Sequence, residues 1–376
     1  MSYKHLLYLV LSTTIFSCKS INIKEKEPPL AKNVILLIGD GTGLSQISSA
    51  FYFKKTPTNY KRFKHIGLIK TSSIRKDITD SAAGATSFSA GIKTYNKAIG
   101  VADDSTHVQN IVEIASLQKI KTGVISTSSI QHATPASFYA HVINRNLYED
   151  ISKDMVSSEI DFFAGGGTDF FNKRKDSKNL LAELKIKGFE IDTTSLGSFS
   201  DIKANSKMGY LLANNHMKSI NNGRGDFLPK ATELGLQFLS KDTNNPNFFV
   251  MIEGSQIDWG GHANDAKYVI SELIDFDDAI GKALDFAEKD GNTLVIVTGD
   301  HETGGFTLSS NTEKKQKGKS GKEYSQLMGT FSTKGHSATL IPVFAYGPGA
   351  EKFAGIYENT EIFYKILEAT KWDKSK

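Results

Sequence analysis

The sequence predicts an α/β fold: a central, mainly parallel sheet with helices on both faces. Three observations predict it. Apolar runs of strand length recur along the chain, and they are continuous rather than alternating, as in strands buried on both sides. Amphipathic stretches of helical period lie between them. Several of the runs end in an acid, at the edge where an open α/β sheet receives its ligands. The 376 residues, 39% hydrophobic and 23% charged, suffice for one large domain of ordinary globular composition.

The elements follow in order. Residues 1–18, MSYKHLLYLVLSTTIFSC, read as a leader: Lys4, an apolar stretch from Leu6 to Phe16, then Ser17-Cys18. The stretch is too short to span a bilayer and has the form of a secretory signal. Cys18 is the only cysteine. Its place behind a small residue resembles a lipoprotein cleavage site, so an exported protein is expected, periplasmic or in the outer membrane, with a lipid anchor at Cys18. An ordinary signal peptide is the alternative. No disulfide can form within the chain, so stability rests on packing and on metals. Residues 19–32 read as a polar tether, and 33–376 as the folded domain.

VILLIGD (34–40) is the first buried strand. TGVIST (122–127), FFVMIEG (248–254), TLVIVTGD (293–300) and LIPVFAYGPG (340–349) repeat its form. Helices are expected at 108–118, 228–241 and 270–289. In the last, Ile270, Leu273, Ile274, Ala279, Ile280, Ala283, Leu284 and Ala287 keep the helical spacing. Residues 161–218 are more polar, with AGGG at 164–167, and read as an insertion or a cap. The Lys-rich run 313–324 reads as a solvated loop. A net charge of +4 is mild for this length and gives no reason to expect nucleic acid.

Asp40, Glu253 and Asp300 stand at the ends of three expected strands, so the fold should bring them to one crevice. Histidines accompany them: His301 follows Asp300, His262 lies four residues after Asp258 in DWGGH, and His336 stands in GHSAT. The Asp258–His262 spacing suits one side of a helical turn, although two intervening glycines would equally suit a loop. Carboxylate with imidazole is a zinc ligand set, and oxygen alone suits magnesium. His5, His65, His107, His141 and His216 lack such acidic partners and are read as structural. In DSAAGATSFSAGIKT (80–94), Asp80 would cap a helix with Ser81 in its first turn. Open N–H groups and the positive dipole end make that position an anion site, and a nearby metal would activate the hydroxyl. Taken alone, Ser81 could simply follow a capping aspartate.

Six segments then resemble one family, in order and each with its ligand: VILLIGDGTG, TDSAAGATSFSAGIKTYN, HATPASFYAH, IEGSQIDWGGH, VTGDHETGG and GHSATLIPVFAYGPG. They are similar to bacterial alkaline phosphatases, and most of all to the compact marine and cold-adapted type. The resemblance implies a three-layer sandwich without a large crown insertion. It implies phosphate monoester hydrolysis through a phosphoserine on Ser81, with two Zn²⁺ and one Mg²⁺. By the same resemblance, Asp258, His262 and His336 would hold the first zinc, and Asp40, Asp300 and His301 the second. Asp40, Thr134 and Glu253 would hold magnesium, and Arg145 would grip phosphate. His132 and Trp259 stand where the enterobacterial form has an aspartate and a lysine. The implied partners are small phosphate monoesters, and a homodimer stays open. A phosphodiesterase or phosphonate hydrolase of the same superfamily is the competing enzyme, and a zinc- or phosphate-binding lipoprotein the competing non-enzyme.

Overall fold

The computed structural model describes residues 29–198, 200, 207–241, 247–310 and 327–372. The leader with Cys18, most of the tether and the run 313–324 lie outside them. Among the described residues, eight strands precede the last acidic turn: β1 (Asn33–Gly39), β2 (His65–Lys70), β3 (Lys121–Ser129), β4 (Phe162–Gly166), β5 (Phe189–Asp192), β6 (Lys207–Leu211), β7 (Phe248–Gly254) and β8 (Thr293–Thr298). Beyond it come β9 (Glu302–Thr303), β10 (Thr307–Ser310), β11 (Leu327–Thr330), β12 (His336–Ser337), β13 (Ile341–Tyr346) and β14 (Gly355–Glu358). Ten of these form one sheet, ordered β14-β2-β13-β8-β1-β7-β3-β4-β6-β5. β13 runs antiparallel to both of its neighbours, and the other pairings are parallel.

The expected continuous runs are the centre of this sheet. β1 is buried at every position, and its side chains alternate between two cores as strand geometry requires. Val34, Leu36 and Ile38 join Phe88, Ile111, Ile114 and Phe363. Ile35 and Leu37 join Leu228, Phe276 and Ile280 on the other face. Each such side chain stabilises the fold by about 1.5–3 kcal/mol relative to exposure.

The helices supply the outer layers. They are α1 (Leu44–Phe53), α2 (Ser81–Ala90), α3 (Ile111–Leu117), α4 (Ala133–Ala136), α5 (Tyr148–Ser157), α6 (Thr168–Asn172), α7 (Leu180–Ile186), α8 (Phe227–Leu239), α9 (Gln256–Ala263), α10 (Ala266–Asp290) and α11 (Glu361–Thr370). α1, α8 and α10 cover one face; α2, α3, α5, α7 and α11 cover the other. Asp265 caps α10 by accepting from Tyr268 N–H, and Gly291 ends it in the left-handed region. No helix among the described residues is long and apolar enough to cross a membrane.

Residues 161–218 are a correction to the sequence reading. Their described part is no cap over the site, because β4, β6 and β5 continue the sheet outward from β3. The AGGG stretch closes β4, where a Cβ on Gly166 would stand 2.1 Å from Asn215 O. Short strands with glycines at close approaches leave no apolar run to read.

Candidate active site

β8, β1 and β7 are neighbours, and Ile38 pairs with both Thr298 and Glu253. Their carboxyl ends therefore place Asp40, Glu253 and Asp300 side by side. After Asp40 the chain turns through Gly41 at φ +71°, where an added Cβ would lie 2.6 Å from Asp258 Cα. Gly41 N–H donates to Asp300 Oδ1 at 3.1 Å. The DWGGH segment is helical, within α9. Its glycines allow close packing: a Cβ on Gly260 would stand 2.7 Å from Val269 N, and one on Gly261 2.8 Å from Thr303 O.

α2 begins as the sequence suggests. Asp80 is its cap, accepting from Ala83 N–H at 3.1 Å, and Gly84 N–H donates to Asp80 O. The N–H groups of Ser81 and Ala82 stay open at the positive end of the helix. All ten residues of α2 are buried. A Cβ on Gly84 would lie only 3.1 Å from Asp300 Cβ, so the tiny residues let the helix start rest on the Asp300 turn. Ser81 Oγ then sits 3.3 Å from His301 Nε2 and 3.5 Å from Asp40 Oδ1. Arg145 joins this corner through Asp80, donating from Nη1 to Oδ2 at 3.0 Å, and its Nη2 lies 3.2 Å from His132 Nε2. His132 precedes α4, which buries Thr134. The Trp259 ring stands edge-on to His132 at 5.9 Å between centroids.

Among the described residues, three groups of ligand atoms are close enough to share an ion: Asp258, His301 and His336; Asp40, Asp300 and His301; Asp40, His132 and Glu253. His262 belongs with the first, its Nε2 being 3.3 Å from Asp258 Oδ1 and 3.2 Å from His336 Nε2. The residues fit cations on two counts. His262 Nδ1 faces Lys334 O and His336 Nδ1 faces Thr79 O, at 2.5 and 2.8 Å. Each Nδ1–H must donate there, so two Nε2 lone pairs confront one another and a carboxylate. Secondly, Asp40 Oδ2, Asp300 Oδ2, Glu253 Oε1, Thr134 Oγ1 and His132 Nδ1 are buried without hydrogen-bond partners, which is costly unless something else satisfies them.

Electrostatics agree. Burial first, then the charges of Asp300, Asp258 and Glu253, holds the Asp40 carboxyl well above the usual carboxylate range. Burial pushes Glu253 up to about 7, against hydrogen bonds from Ser126 and Ser255. Burial and then Asp258 push Asp300 up to about 6. Burial lowers His301 and His132 well below the ordinary histidine value, aided by His336 for the first and Arg145 for the second. A bound cation reverses the shifts of the acids, favouring their ionised forms, and reinforces those of the histidines, favouring the neutral rings.

A sequence profile described as alkaline phosphatase matches residues 31–329 and 309–372. The chain belongs to the alkaline phosphatase family. It is 33% identical to alkaline phosphatase 4 of Bacillus subtilis over 93% of this chain and 91% of that protein. It is 30% identical to the Escherichia coli alkaline phosphatase over 90% and 86%. Among solved structures, the alkaline phosphatase of the Antarctic bacterium TAB5 is 65% identical, with a TM-score of 0.89 over 93% of this chain and all of that one. A variant of that enzyme, with one histidine replaced by aspartate and Mg bound in its M3 site, superposes with a TM-score of 0.90 at the same identity and coverage.

The alkaline phosphatase site also contains residues that the sequence reading passed over. His216, read as structural, accepts from Ser129 N–H at Nδ1, and its ring stands edge-on to Trp259 and His132 at 4.9 and 5.5 Å between centroids. The hydroxyls of Ser126 and Ser255 donate to Glu253 Oε2. Asp80, read only as a cap, also orients Arg145. The readable signal for the serines was small polar residues at the ends of two buried strands. For His216 there was none, because a loop beyond β6 brings it in. Of the other histidines read as structural, His65 stands on β2 and His107 and His141 stack with each other at 4.9 Å, and His5 lies outside the described residues.

Proposed function

We propose that this alkaline phosphatase hydrolyses phosphate monoesters to an alcohol and inorganic phosphate through a phosphoserine on Ser81. The observation that carries the reading is the Ser81 hydroxyl at an open helix N-terminus, 3.3 Å from His301 Nε2, with Arg145 tied beside it by Asp80. Asp258, His262 and His336 would hold one zinc, and Asp40, Asp300 and His301 the other. Asp40, Thr134 and Glu253 would hold magnesium, with His132 beside it. The TAB5 variant with magnesium in its M3 site supports that last assignment. When bound, the metals lower hydroxyl and water pKa values and offset negative charge on the reacting oxygens.

Arg145 grips two non-bridging phosphate oxygens with its planar fork, and the N–H groups of Ser81 and Ala82 take up charge on the group in transfer. Asp80 fixes Arg145 against the start of α2, so the ester is presented in line to Ser81. Ser81 Oγ gives up its proton to solvent and bonds to phosphorus as the ester P–O bond breaks, and the departing alkoxide takes a proton from solvent. Water then attacks the phosphoserine from the vacated side, releasing Ser81 and phosphate.

p-Nitrophenyl phosphate assayed against its bis-ester tests this reading. Expected is monoester turnover that a chelator abolishes and zinc plus magnesium restores. A preference for the bis-ester would favour the diesterase alternative instead. Export with a lipid anchor at Cys18 is part of the proposal, and fatty-acid labelling that persists in Cys18→Ser would remove it.

A further inference from the structure

Thr303 is buried on β9 and is not one of the grouped ligands. Its backbone is clamped: Thr303 N–H donates to Gly41 O at 3.2 Å, and β9 pairs Thr303 with His336 of β12. Its Oγ1 is thereby set between the side chains of Asp258 and His301. It donates to Asp258 Oδ1, and it lies 3.2 Å from His301 Nδ1.

A hydroxyl has one proton to donate, and a carboxylate can only accept. The Thr303 proton is therefore committed to Asp258. Toward His301 the same oxygen must accept, which requires the proton of the neutral imidazole on Nδ1. The lone pair is then on Nε2, the nitrogen that lies 3.3 Å from Ser81 Oγ, 3.6 Å from Asp40 Oδ1 and 3.3 Å from Asp300 Oδ2. His262 and His336 have their Nδ1 protons fixed by the backbone carbonyls of Lys334 and Thr79, outside the ligand set. His301 is fixed by a side chain that also orients Asp258, which the proposed assignment gives to the other zinc.

We infer that Thr303 is a positioning residue that couples the two zinc sites, holding the His301 tautomer and the Asp258 carboxylate through one hydroxyl. The inference rests on the metal assignment proposed above. It predicts that the two sites do not load independently of this side chain. Outer partners of this kind commonly change metal affinity by about 10–100-fold when removed.

The test compares Thr303→Val, which keeps the shape and loses both bonds, with Thr303→Ser, which keeps both. Zinc is withdrawn from each loaded enzyme by a chromophoric chelator, and the amount retained is read alongside kcat and KM. Expected is roughly 10–100-fold weaker zinc retention in Thr303→Val, with a lower kcat, and retention near wild type in Thr303→Ser. Equal retention by wild type and Thr303→Val overturns this inference alone. A wild-type enzyme that retains no zinc overturns the metal assignment and this inference with it. Should Thr303→Val fail to fold, proton–nitrogen spectra of histidine-labelled wild-type holoenzyme decide the matter. A proton on His301 Nδ1 is expected, and its absence there contradicts the relay.

Discussion

Trp259 sits beside the corner formed by Arg145 and His132, proposed above to grip phosphate, without any charge to offer. Its ring is edge-on to His132 and His216, and His132 in turn meets Arg145. Trp259→Lys would add an ammonium to that corner. A direct pair at 4 Å and an effective dielectric of about 20 amounts to about 4 kcal/mol, and a water-bridged pair to a fraction of it. The phosphate inhibition constant should fall about tenfold, which needs ~1.4 kcal/mol, and kcat should fall with it where product release limits turnover. An inhibition constant equal to or above that of the wild type contradicts this placement of Trp259. At this scale the sequence was most legible where chemistry and position coincide. Asp40, Glu253 and Asp300 end buried strands, and His301 and His262 stand near acids. Ser126, Ser255, His216 and Thr303 were not legible, because a hydroxyl or ring acquires its role only when another segment is folded against it.

Among the elements, α2 owes its position to what it lacks. A Cβ at Gly84 would meet Asp300 Cβ at 3.1 Å and Asp300 O at 3.4 Å, and both neighbours belong to the turn that also holds His301. Gly84→Val drives two further carbons into that turn. Overpacking of this kind costs about 1–3 kcal/mol, and the displaced helix start should lower kcat by about tenfold or more, equivalent to ~1.4 kcal/mol of barrier. Circular dichroism near wild type with reduced kcat and zinc content is the expected outcome, and unchanged kcat would show that α2 has slack there. The helices expected at 108–118, 228–241 and 270–289 appear as α3, α8 and α10, since their apolar stripes face the sheet. The strands were legible only at the centre. β2 has a mixed burial pattern, and β4 and β6 carry glycines, so none shows the continuous run of β1. β13 does show it, but its antiparallel direction depends on connections that an apolar run does not encode.

For the molecule as a whole, the buried acids make stability depend on pH in a way that metal should reverse. In the metal-free protein the carboxyls of Glu253 and Asp300 are raised to about 7 and about 6, chiefly by burial. An acid whose folded pKa is raised favours the native state while protonated. That contribution is fully present below the unfolded carboxylate range, near 4, and is lost as pH rises through about 6 to 7. His301 and His132, held neutral in the folded state, act in the opposite sense below the ordinary histidine value near 6.5. The unfolding midpoint of chelated enzyme should therefore drop as pH rises from about 6.5 to 7, whereas the zinc- and magnesium-loaded enzyme should rise over the same window as ligands deprotonate. A flat profile for the chelated enzyme would contradict the crowding of ionisable acids at the sheet edge.

The phosphoserine itself can be caught. Loaded enzyme is mixed with a phosphate monoester at mildly acid pH, quenched, digested and mapped by mass spectrometry. Phosphate on the Ser81 peptide is the expected result, together with a loss of several orders of magnitude in kcat for Ser81→Ala while its metal content survives. Phosphate on another residue, or near wild-type turnover by Ser81→Ala, would contradict a reaction that runs through Ser81.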